Sequence, residues 1–264
     1  MKPLINKQGK NIQYNPKAFG KRYMVDGEPK SSVTTVIGNH QNKNCLLFCK
    51  RKMVLDGLKN VLISQKKPID EINKLIKKVE LSTNELEEYA RDIGTNLHEW
   101  IDLYVKGKKP AIPNSEPLKT MVNKWLKWWK ASKLEIVESE LPLYSSKYDL
   151  AGTLDLIVTQ KSWKGKLALL DTKTSKDFYV DQAIQIETYR RFLEETTDFK
   201  IQKLAIVNIP KEYNKKVSMY VLKIDDSYFK GFEAMTYLDQ LESNFNNDVK
   251  KWKEENKKNV KKTK

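Results

Sequence analysis

The sequence predicts an α/β domain with an N-terminal helical elaboration. Apolar runs of strand length at 149–159 and 166–173 are followed by a helical pattern at 179–195. Helical patterns also dominate much of the first half of the chain. No Gly/Ser/Pro-rich linker divides the 264 residues, which are enough to bury one substantial core. We predict a single domain over residues 1–250, with a helical elaboration at about 40–132, a functional core at about 82–225 and a basic tail at 251–264.

The elements follow from periodicity and turn signals in chain order. Residues 10–37 have a β-rich pattern, with Asp26-Gly27 as a hairpin turn. Ser82 and Glu85 fit a capping box that would begin a helix running to about Val105. The remaining elements are predicted as helices at 119–130, 179–195 and 227–252, and strands at 134–144, 149–159, 166–173, 202–209 and 217–224.

Two of the predicted strands carry acids. Asp155 lies in the first, and Asp171 in the second is followed two residues later by Lys173. Successive side chains of a strand point to opposite faces, so Asp171 and Lys173 share a face while Thr172 points away. The short polar segment between the strands lets them pair as an antiparallel hairpin, which brings the two acids together. Two carboxylates beside a lysine suit a divalent metal ion and an activated water.

The setting of these charges separates them from an ordinary surface strand. An acid and a lysine two residues apart usually form a solvated face. Here the continuous apolar run at 167–170 precedes them, which is typical of a strand covered on both faces. Charged groups at the end of a buried strand need a partner or a metal ion.

These motifs together resemble the PD-(D/E)XK nuclease superfamily, in the branch of RecB-type and bacteriophage exonuclease-like domains. Segments 22–27 and 32–37 resemble the opening of phage-type members. The pieces span roughly residues 20 to 195 in the family's order. The motifs that carry the resemblance are Gly152 to Asp155, Asp171 to Thr174, Gln185 with Tyr189 four residues later, and His98 four residues after Gly94.

The resemblance implies a restriction-endonuclease-like core, a central mixed β-sheet flanked by helices, with 82–225 as the catalytic core. It also implies a metal-dependent DNA exonuclease acting in recombination, repair or replication, in a phage-like setting. The preference for exonuclease is inherited from the branch. A structure-dependent DNA endonuclease and a non-catalytic DNA-binding accessory protein stay open as alternatives.

The site roles are likewise implied by the resemblance. One or two Mg²⁺ or Mn²⁺ ions are expected on His98, Asp155, Asp171 and the main-chain carbonyl of Thr172. Glu138 stays a rival to Glu140 as the upstream acid, because the two share a strand face. The expected catalytic residues are Asp155, Asp171, Lys173, Glu140 and Gln185. The expected substrate contacts are Tyr189, Arg190, Thr174 and Lys176, with Arg191 as a further candidate.

Charge and aromatic content favour a polyanionic partner. Lysine and arginine number 49 against 34 acids, a net charge of +15. DNA that is single-stranded or has free ends is the expected partner, together with a single-strand annealing or binding protein. The lysines after Val249 are expected to form a frayed, solvated tail or a weak phosphate-tracking arm. Trp125, Trp128 and Trp129 have the helical spacing of core residues, and stacking on unpaired bases is the alternative.

Cysteine content and hydropathy exclude other classes. Cys45 and Cys49 are the two cysteines, so one chain cannot supply a four-thiolate iron–sulfur site. The iron–sulfur cluster of some RecB-type relatives is therefore not expected. No signal peptide or long apolar segment is visible, so we expect a soluble cytoplasmic protein that does not enter a membrane.

Overall fold

The computed structural model of the chain describes residues 8–15, 22–40, 55–60, 62–65 and 68–262, with the backbone alone at 78–88, 90 and 257–262. Cys45 and Cys49 lie outside the described residues. The strands are β1 (Ile12–Tyr14), β2 (Tyr23–Val25), β3 (Glu28–Ser32), β4 (Glu135–Ser145), β5 (Leu150–Thr159), β6 (Leu167–Lys173), β7 (Ile201–Asn208) and β8 (Ser218–Leu222). The helices are α1 (Val33–His40), α2 (Ile69–Val105), α3 (Leu118–Ser132), α4 (Val180–Thr196) and α5 (Asp226–Lys262), and residues 55–60 are also helical.

The prediction of an α/β fold with a central mixed sheet flanked by helices is confirmed. The strand order is β1-β2-β3-β5-β6-β7-β8, with β4 paired to β5. Strands β4, β5 and β6 form an antiparallel meander, whereas β6 and β7 are parallel. The parallel pair requires a crossover connection, which α4 supplies. The predicted elements from residue 119 onward begin within two residues of their observed starts.

Two helix boundaries differ from the prediction. Helix α2 begins at Ile69 rather than at Ser82, with Pro68 before it and Asp70 and Glu71 in its first turn. Acids there interact favourably with the positive helix N-terminus, so the earlier start is stabilised without the capping box. Helix α5 continues to Lys262. The expected frayed tail is therefore wrong up to that residue, because the sequence after 252 contains no glycine or proline to end the helix.

Separate cores cover the two faces of the sheet. On one face α1, α4 and α5 pack on the strands around Leu154, Leu169 and Phe232. On the other face α2 and α3 pack around Leu156 and Trp125. The continuous apolar character of β6 follows from this burial on both faces, since neither of its faces meets water.

The β2–β3 hairpin forms at the predicted turn. Asp26 and Gly27 both have positive φ, 51° and 83°, which is the conformation of a type I′ turn. The hydroxyl of Tyr23 on β2 lies 3.0 Å from that of Thr153 on β5. The predicted β-rich segment to residue 37 is wrong after Ser32, where α1 begins. Ser32 caps this helix, because its Oγ accepts a hydrogen bond from the backbone N–H of Thr35 at 3.1 Å.

Pairing along one edge of β5 is interrupted. Strand β4 pairs with β5 along one edge for its whole length. On the other edge β3 pairs only with Leu150 and Ala151, and β6 only with residues 156–158. Residues 152–155 therefore have no ladder partner on that side, and β3 and β6 diverge there. This opening in the sheet is the floor of a cleft.

Among the described helices, none has both the length and the apolar content needed to cross a lipid bilayer.

The aromatic core beneath α4 is expected to dominate stability on its face of the sheet. Phe192 is fully buried and lies 5.9 Å, centroid to centroid, from both Tyr148 and Phe232. Phe192→Ala should lower the free energy of unfolding by about 3–5 kcal/mol, since it removes a large side chain and leaves a cavity. Urea unfolding checks this, with Tyr213→Ala, at an 88% exposed position, as the control. Equal effects of the two substitutions would contradict the packing.

Candidate active site

The opening in the sheet forms a cleft of about 1000 Å³. Its walls come from β1–β3, the start of α1, the second half of α2 and the first half of α4. The predicted site residues that line it are His98, Glu140, Asp155, Lys173, Gln185 and Tyr189. Side chains about ninety positions apart in the sequence, such as His98 and Tyr189, therefore line the same cleft.

Three potential metal ligands converge at the floor of the cleft. They are His98 on α2, Glu140 on β4 and Asp155 on β5, and one ligand atom from each lies within 4.8 Å of the other two. His98 Nδ1 is 3.7 Å from Glu140 Oε1 and 3.5 Å from Asp155 Oδ2. Two ligands of the same ion lie at most about 4–5 Å apart, twice the metal–ligand distance. The group can therefore hold a metal ion after small side-chain movements.

A kink in β4 brings Glu140 to this group. Glu140 has a φ of +47° and lies opposite Asp155 in the β4–β5 register. The alternation of β5 also changes at this point, since Leu154 packs in the core beneath α4, whereas Leu156 packs in the core beneath α2. Glu138, the rival acid, is outside the cleft lining and outside the ligand group. Of the two acids, the structure brings Glu140 to the site.

Thr172 holds the carboxylate of Asp155. Its backbone N–H donates to Asp155 Oδ2 at 2.6 Å and its hydroxyl donates to the same atom at 2.7 Å. The hydroxyl also lies 3.3 Å from His98 Nε2. The side chain of Thr172 thus points away from Asp171 and Lys173, as the strand alternation predicts. The metal-ligand role of the Thr172 main-chain carbonyl stays a prediction.

Asp171, Lys173 and Gln185 form a second group beside the first. Lys173 Nζ donates to Asp171 Oδ1 at 2.9 Å and to Gln185 Oε1 at 3.1 Å. Asp171 is 2% exposed, and its Oδ2 atom accepts no hydrogen bond from the described residues, although Lys173 Nζ lies 2.7 Å away. Asp171 lies beneath Lys173 rather than among the three converging ligands. Glu140 occupies the place in that group that the resemblance implied for Asp171.

Burial and mutual attraction shift the pKa values of these groups. Burial disfavours the charged form of His98, but Asp155 and Glu140 outweigh it and raise its pKa to about 9. Burial raises the pKa of Asp171 to about 6, against the opposing effect of Lys173. Burial also raises the pKa of Glu140, with His98 opposing. Burial lowers the pKa of Lys173, yet attraction to Asp171 and Asp155 raises it overall. A further cation would stabilise the buried carboxylates in their charged form.

The site residues fit a divalent metal ion. Two carboxylates and an imidazole supply the donors that Mg²⁺ and Mn²⁺ accept. The Oδ2 atom of the buried Asp171, which forms an ion pair with Lys173 but accepts no hydrogen bond from the described residues, is a further oxygen beside this group.

Tyr189 closes the cleft beside the glycine of the Gly-x-x-Asp motif. The Tyr189 side chain is buried, and its hydroxyl lies 3.4 Å from Gln185 Nε2. A Cβ atom on Gly152 would lie 2.5 Å from Tyr189 Cε1. Gly152 is therefore required by a close side-chain approach rather than by its backbone conformation. The two motifs, which are far apart in sequence, pack directly against each other.

Four of the candidate substrate contacts do not line the cleft. The guanidinium of Arg190, a predicted phosphate contact, is buried and donates to Glu187 at 2.8 Å and to Glu194 at 2.9 Å. Arg191 is likewise paired, with Glu187 and Asp226. Thr174 lies half-buried near Gly94, and Lys176 is exposed outside the cleft lining.

Several residues that line the cleft are not predicted as site residues by the sequence. Three basic side chains line the cleft with Lys173: Arg22, Lys30 and Arg91. Arg91 lies seven residues before His98, and this two-turn spacing places both on one face of α2. Arg22 and Lys30 could not be found in this way, because only the docking of the hairpin against β5 brings them to the site.

The tryptophan group is mainly a core element. Trp125 is fully buried and stacks on Trp129 at 5.2 Å, with Trp100 edge-on at 6.1 Å. None of the three candidates, Trp125, Trp128 and Trp129, lines the cleft that holds the ligand group. Core packing accounts for their spacing, and the base-stacking alternative is not supported at this site.

No protein-family model and no curated protein matches the sequence. Solved structures that resemble this chain include the following two. One is a candidate exonuclease from Eubacterium rectale, with 11% identity and a TM-score of 0.40, and the match covers 57% of this chain and 65% of that one. The other is SSO0001, with 14% identity and a TM-score of 0.35, covering 72% and 86% respectively. The chain thus spans less than two thirds of the first protein. Both TM-scores are below 0.5, so neither likeness supports a conclusion about this chain.

The contact between Gly152 and Tyr189 predicts a specific pairwise effect on stability. Gly152→Ala should lower the free energy of unfolding by about 1–3 kcal/mol, because the added methyl group overlaps the Tyr189 ring. In a Tyr189→Ala background the same substitution should cost far less. Urea unfolding of the four proteins in this cycle measures the coupling. Additive effects of the two substitutions would contradict the proposed overlap.

Proposed function

We propose that the chain is a metal-dependent nuclease that hydrolyses phosphodiester bonds of DNA, with exonuclease action favoured. One observation carries the proposal: His98, Glu140 and Asp155 converge in a cleft beside Lys173, which is held by a buried acid and a glutamine. Carboxylates and an imidazole around one point, next to a fixed cation, suit phosphoryl chemistry. The order of the motifs, which resembles the PD-(D/E)XK nucleases, agrees with this reading.

In the proposed mechanism His98, Glu140 and Asp155 would hold the metal ion. Asp171, whose Oδ2 lies 2.7 Å from Lys173 Nζ, would supply a further carboxylate beside them. Mg²⁺ or Mn²⁺ would supply Lewis acidity and lower the pKa of a coordinated water. Thr172 fixes the Asp155 carboxylate through two hydrogen bonds, so this ligand is oriented before the ion binds. Glu140 would reach the ion because of its left-handed backbone conformation within β4.

Lys173 acts as a positioned cation in this scheme. Its ammonium is held between Asp171 and Gln185, and the side chain is 22% exposed towards the cleft. A charge fixed in this way stabilises the developing negative charge on the phosphate without reorganising during the reaction. Gln185 holds Lys173 through its carbonyl oxygen, and its amide group points towards Asp171 and Tyr189.

The basic side chains of the cleft suit the DNA backbone. Arg22, Lys30 and Arg91 line the cleft. The Lys30 ammonium also pairs with Glu28 and Asp149. Contacts from arginine and lysine to phosphates orient a nucleic acid without reading its sequence. The overall charge of +15 adds a long-range attraction for the same polyanion. In the proposed function these side chains bind phosphates in place of Arg190. Thr174 and Lys176 would contact the DNA outside the cleft.

Metal binding should distinguish the two acids of β4. Glu140→Gln is expected to weaken Mn²⁺ binding by about tenfold or more, because it removes a charged oxygen from the ligand group. Glu138→Gln, the matched substitution two residues away, should leave binding unchanged. Isothermal titration calorimetry of Mn²⁺ into the DNA-free protein measures both affinities. Equal affinities of the two variants would remove Glu140 from the proposed site.

Cleavage of defined DNA substrates tests the function directly. The substrates are end-labelled linear single-stranded and double-stranded DNA and a covalently closed circle, each with Mg²⁺, Mn²⁺ or EDTA. We expect metal-dependent loss of the linear DNA, reduced about a hundredfold or more in Lys173→Ala. Lys166→Ala, at an exposed lysine just before the same strand, is the control and should cleave normally. DNA binding by Lys173→Ala should persist.

The alternatives give different results in the same experiment. Cutting of the closed circle would favour the structure-dependent endonuclease. Firm DNA binding without cleavage in any metal would favour the non-catalytic accessory protein. Cleavage that persists in EDTA would overturn the metal-dependent mechanism.

A further inference from the structure

An apolar stripe runs along the exposed side of helix α5. Its most exposed members are Leu238, Leu241, Phe245 and Trp252, which are 45%, 52%, 67% and 63% exposed. Val249, between the last two, is half-buried. Scattered exposed apolar residues are ordinary, but a continuous row of large side chains on one helix indicates a contact surface. The five residues are called the α5 stripe below.

The α5 stripe points away from the body of the protein. At about 100° per residue, its five members lie within about 80° of one another around the helix. The residues of α5 that pack into the core, Tyr228, Phe229, Phe232 and Met235, lie on average roughly 130° from them. Burial of the stripe therefore requires a partner from outside the described fold.

The members of the α5 stripe are spaced symmetrically along the helix on either side of Phe245. From Phe245 the next members lie four residues away, at Leu241 and Val249, and the outer members seven residues away, at Leu238 and Trp252. An isologous contact between two identical helices requires such a pattern when the helices run antiparallel. Phe245 would meet itself on the two-fold axis, and Leu238 would face Trp252 of the partner subunit. The spacings average 3.5 residues, which suits helices that wrap around each other.

The charges of α5 also favour an antiparallel pair of helices. Acids dominate from Asp226 to Asp248, where the helix carries a single lysine, Lys230. Lysines dominate from Lys250 to Lys262, with two acids among them, Glu254 and Glu255. An antiparallel pair sets the acidic half of each helix beside the basic half of the other, whereas a parallel pair sets like charges together.

We propose that the α5 stripe joins two copies of this chain through an antiparallel helix pair centred on Phe245. The occupant is a second copy because both the apolar spacing and the charge distribution are self-complementary about this residue. The seam spans four turns of helix, so the dimer is expected to be weak, with a dissociation constant of roughly micromolar order. The proposal does not depend on the nuclease function.

Sedimentation equilibrium of the full chain, freed of nucleic acid, tests the proposal from 1 to 200 µM. The wild type should shift with concentration from the monomer mass of 30.9 kDa towards twice that value. Phe245→Glu should raise the dissociation constant at least tenfold, because it sets two carboxylates against each other on the axis. Asn247→Glu adds the same charge at an exposed position on the opposite side of the helix and should dimerise as the wild type does. Circular dichroism verifies that each variant is folded.

Disulfide trapping tests the direction of the helices in a Cys45→Ala/Cys49→Ala background. A mixture of Leu238→Cys and Trp252→Cys chains should cross-link on mild oxidation, while Leu238→Cys alone should not. Cross-linking of Leu238→Cys to itself would mean a parallel pair and would overturn the proposal. A wild type that stays monomeric at every concentration, or a dimer unaffected by Phe245→Glu, would also overturn it and leave the stripe to a different protein.

Discussion

The interrupted pairing along β5 is the constraint on which the candidate site depends. A strand in a continuous ladder uses its backbone groups on both edges, and its side chains pack into the layers above and below. Here β3 leaves β5 after Ala151 and β6 joins it only at Leu156. The backbone N–H of Thr172 bonds the side chain of Asp155. The gap thus exposes an acid to the cleft and orients it at the same time.

Buried charge in the site is balanced within a small volume. Asp171 is almost fully buried and is compensated by Lys173, which Gln185 also holds. His98 lies near both Glu140 and Asp155, and their attraction raises its pKa. Such groups are costly to bury and contribute little net stability, because desolvation offsets their attraction. Their concentration at the opening in the sheet, where they add little stability, is the feature on which the proposed function rests.

Helix α4 connects the site to the hydrophobic core. It carries Gln185 and Tyr189 to the cleft, while Phe192 packs in the aromatic cluster beneath it. Its arginines are held in a network with Glu187, which fixes the helix against α5. Because the Tyr189 ring rests against Gly152, the position of α4 also determines how closely β5 approaches it. Site geometry and core packing are therefore parts of one arrangement.

Local patterns in the sequence determined the elements and the relation of neighbouring residues within them. Strand alternation was enough to place Asp171 and Lys173 on one face and Thr172 on the other, and turn chemistry was enough to place the Asp26-Gly27 hairpin. Only the tertiary structure decided that Glu140 joins His98 and Asp155, since this depends on a left-handed residue within a strand that no pattern signals. It also decided that Arg190 is buried in ion pairs, because α4 is covered on nearly all sides and periodicity cannot tell which side faces the cleft. Contacts between distant segments follow from packing in three dimensions, whereas periodicity reports only which residues of one segment share a face.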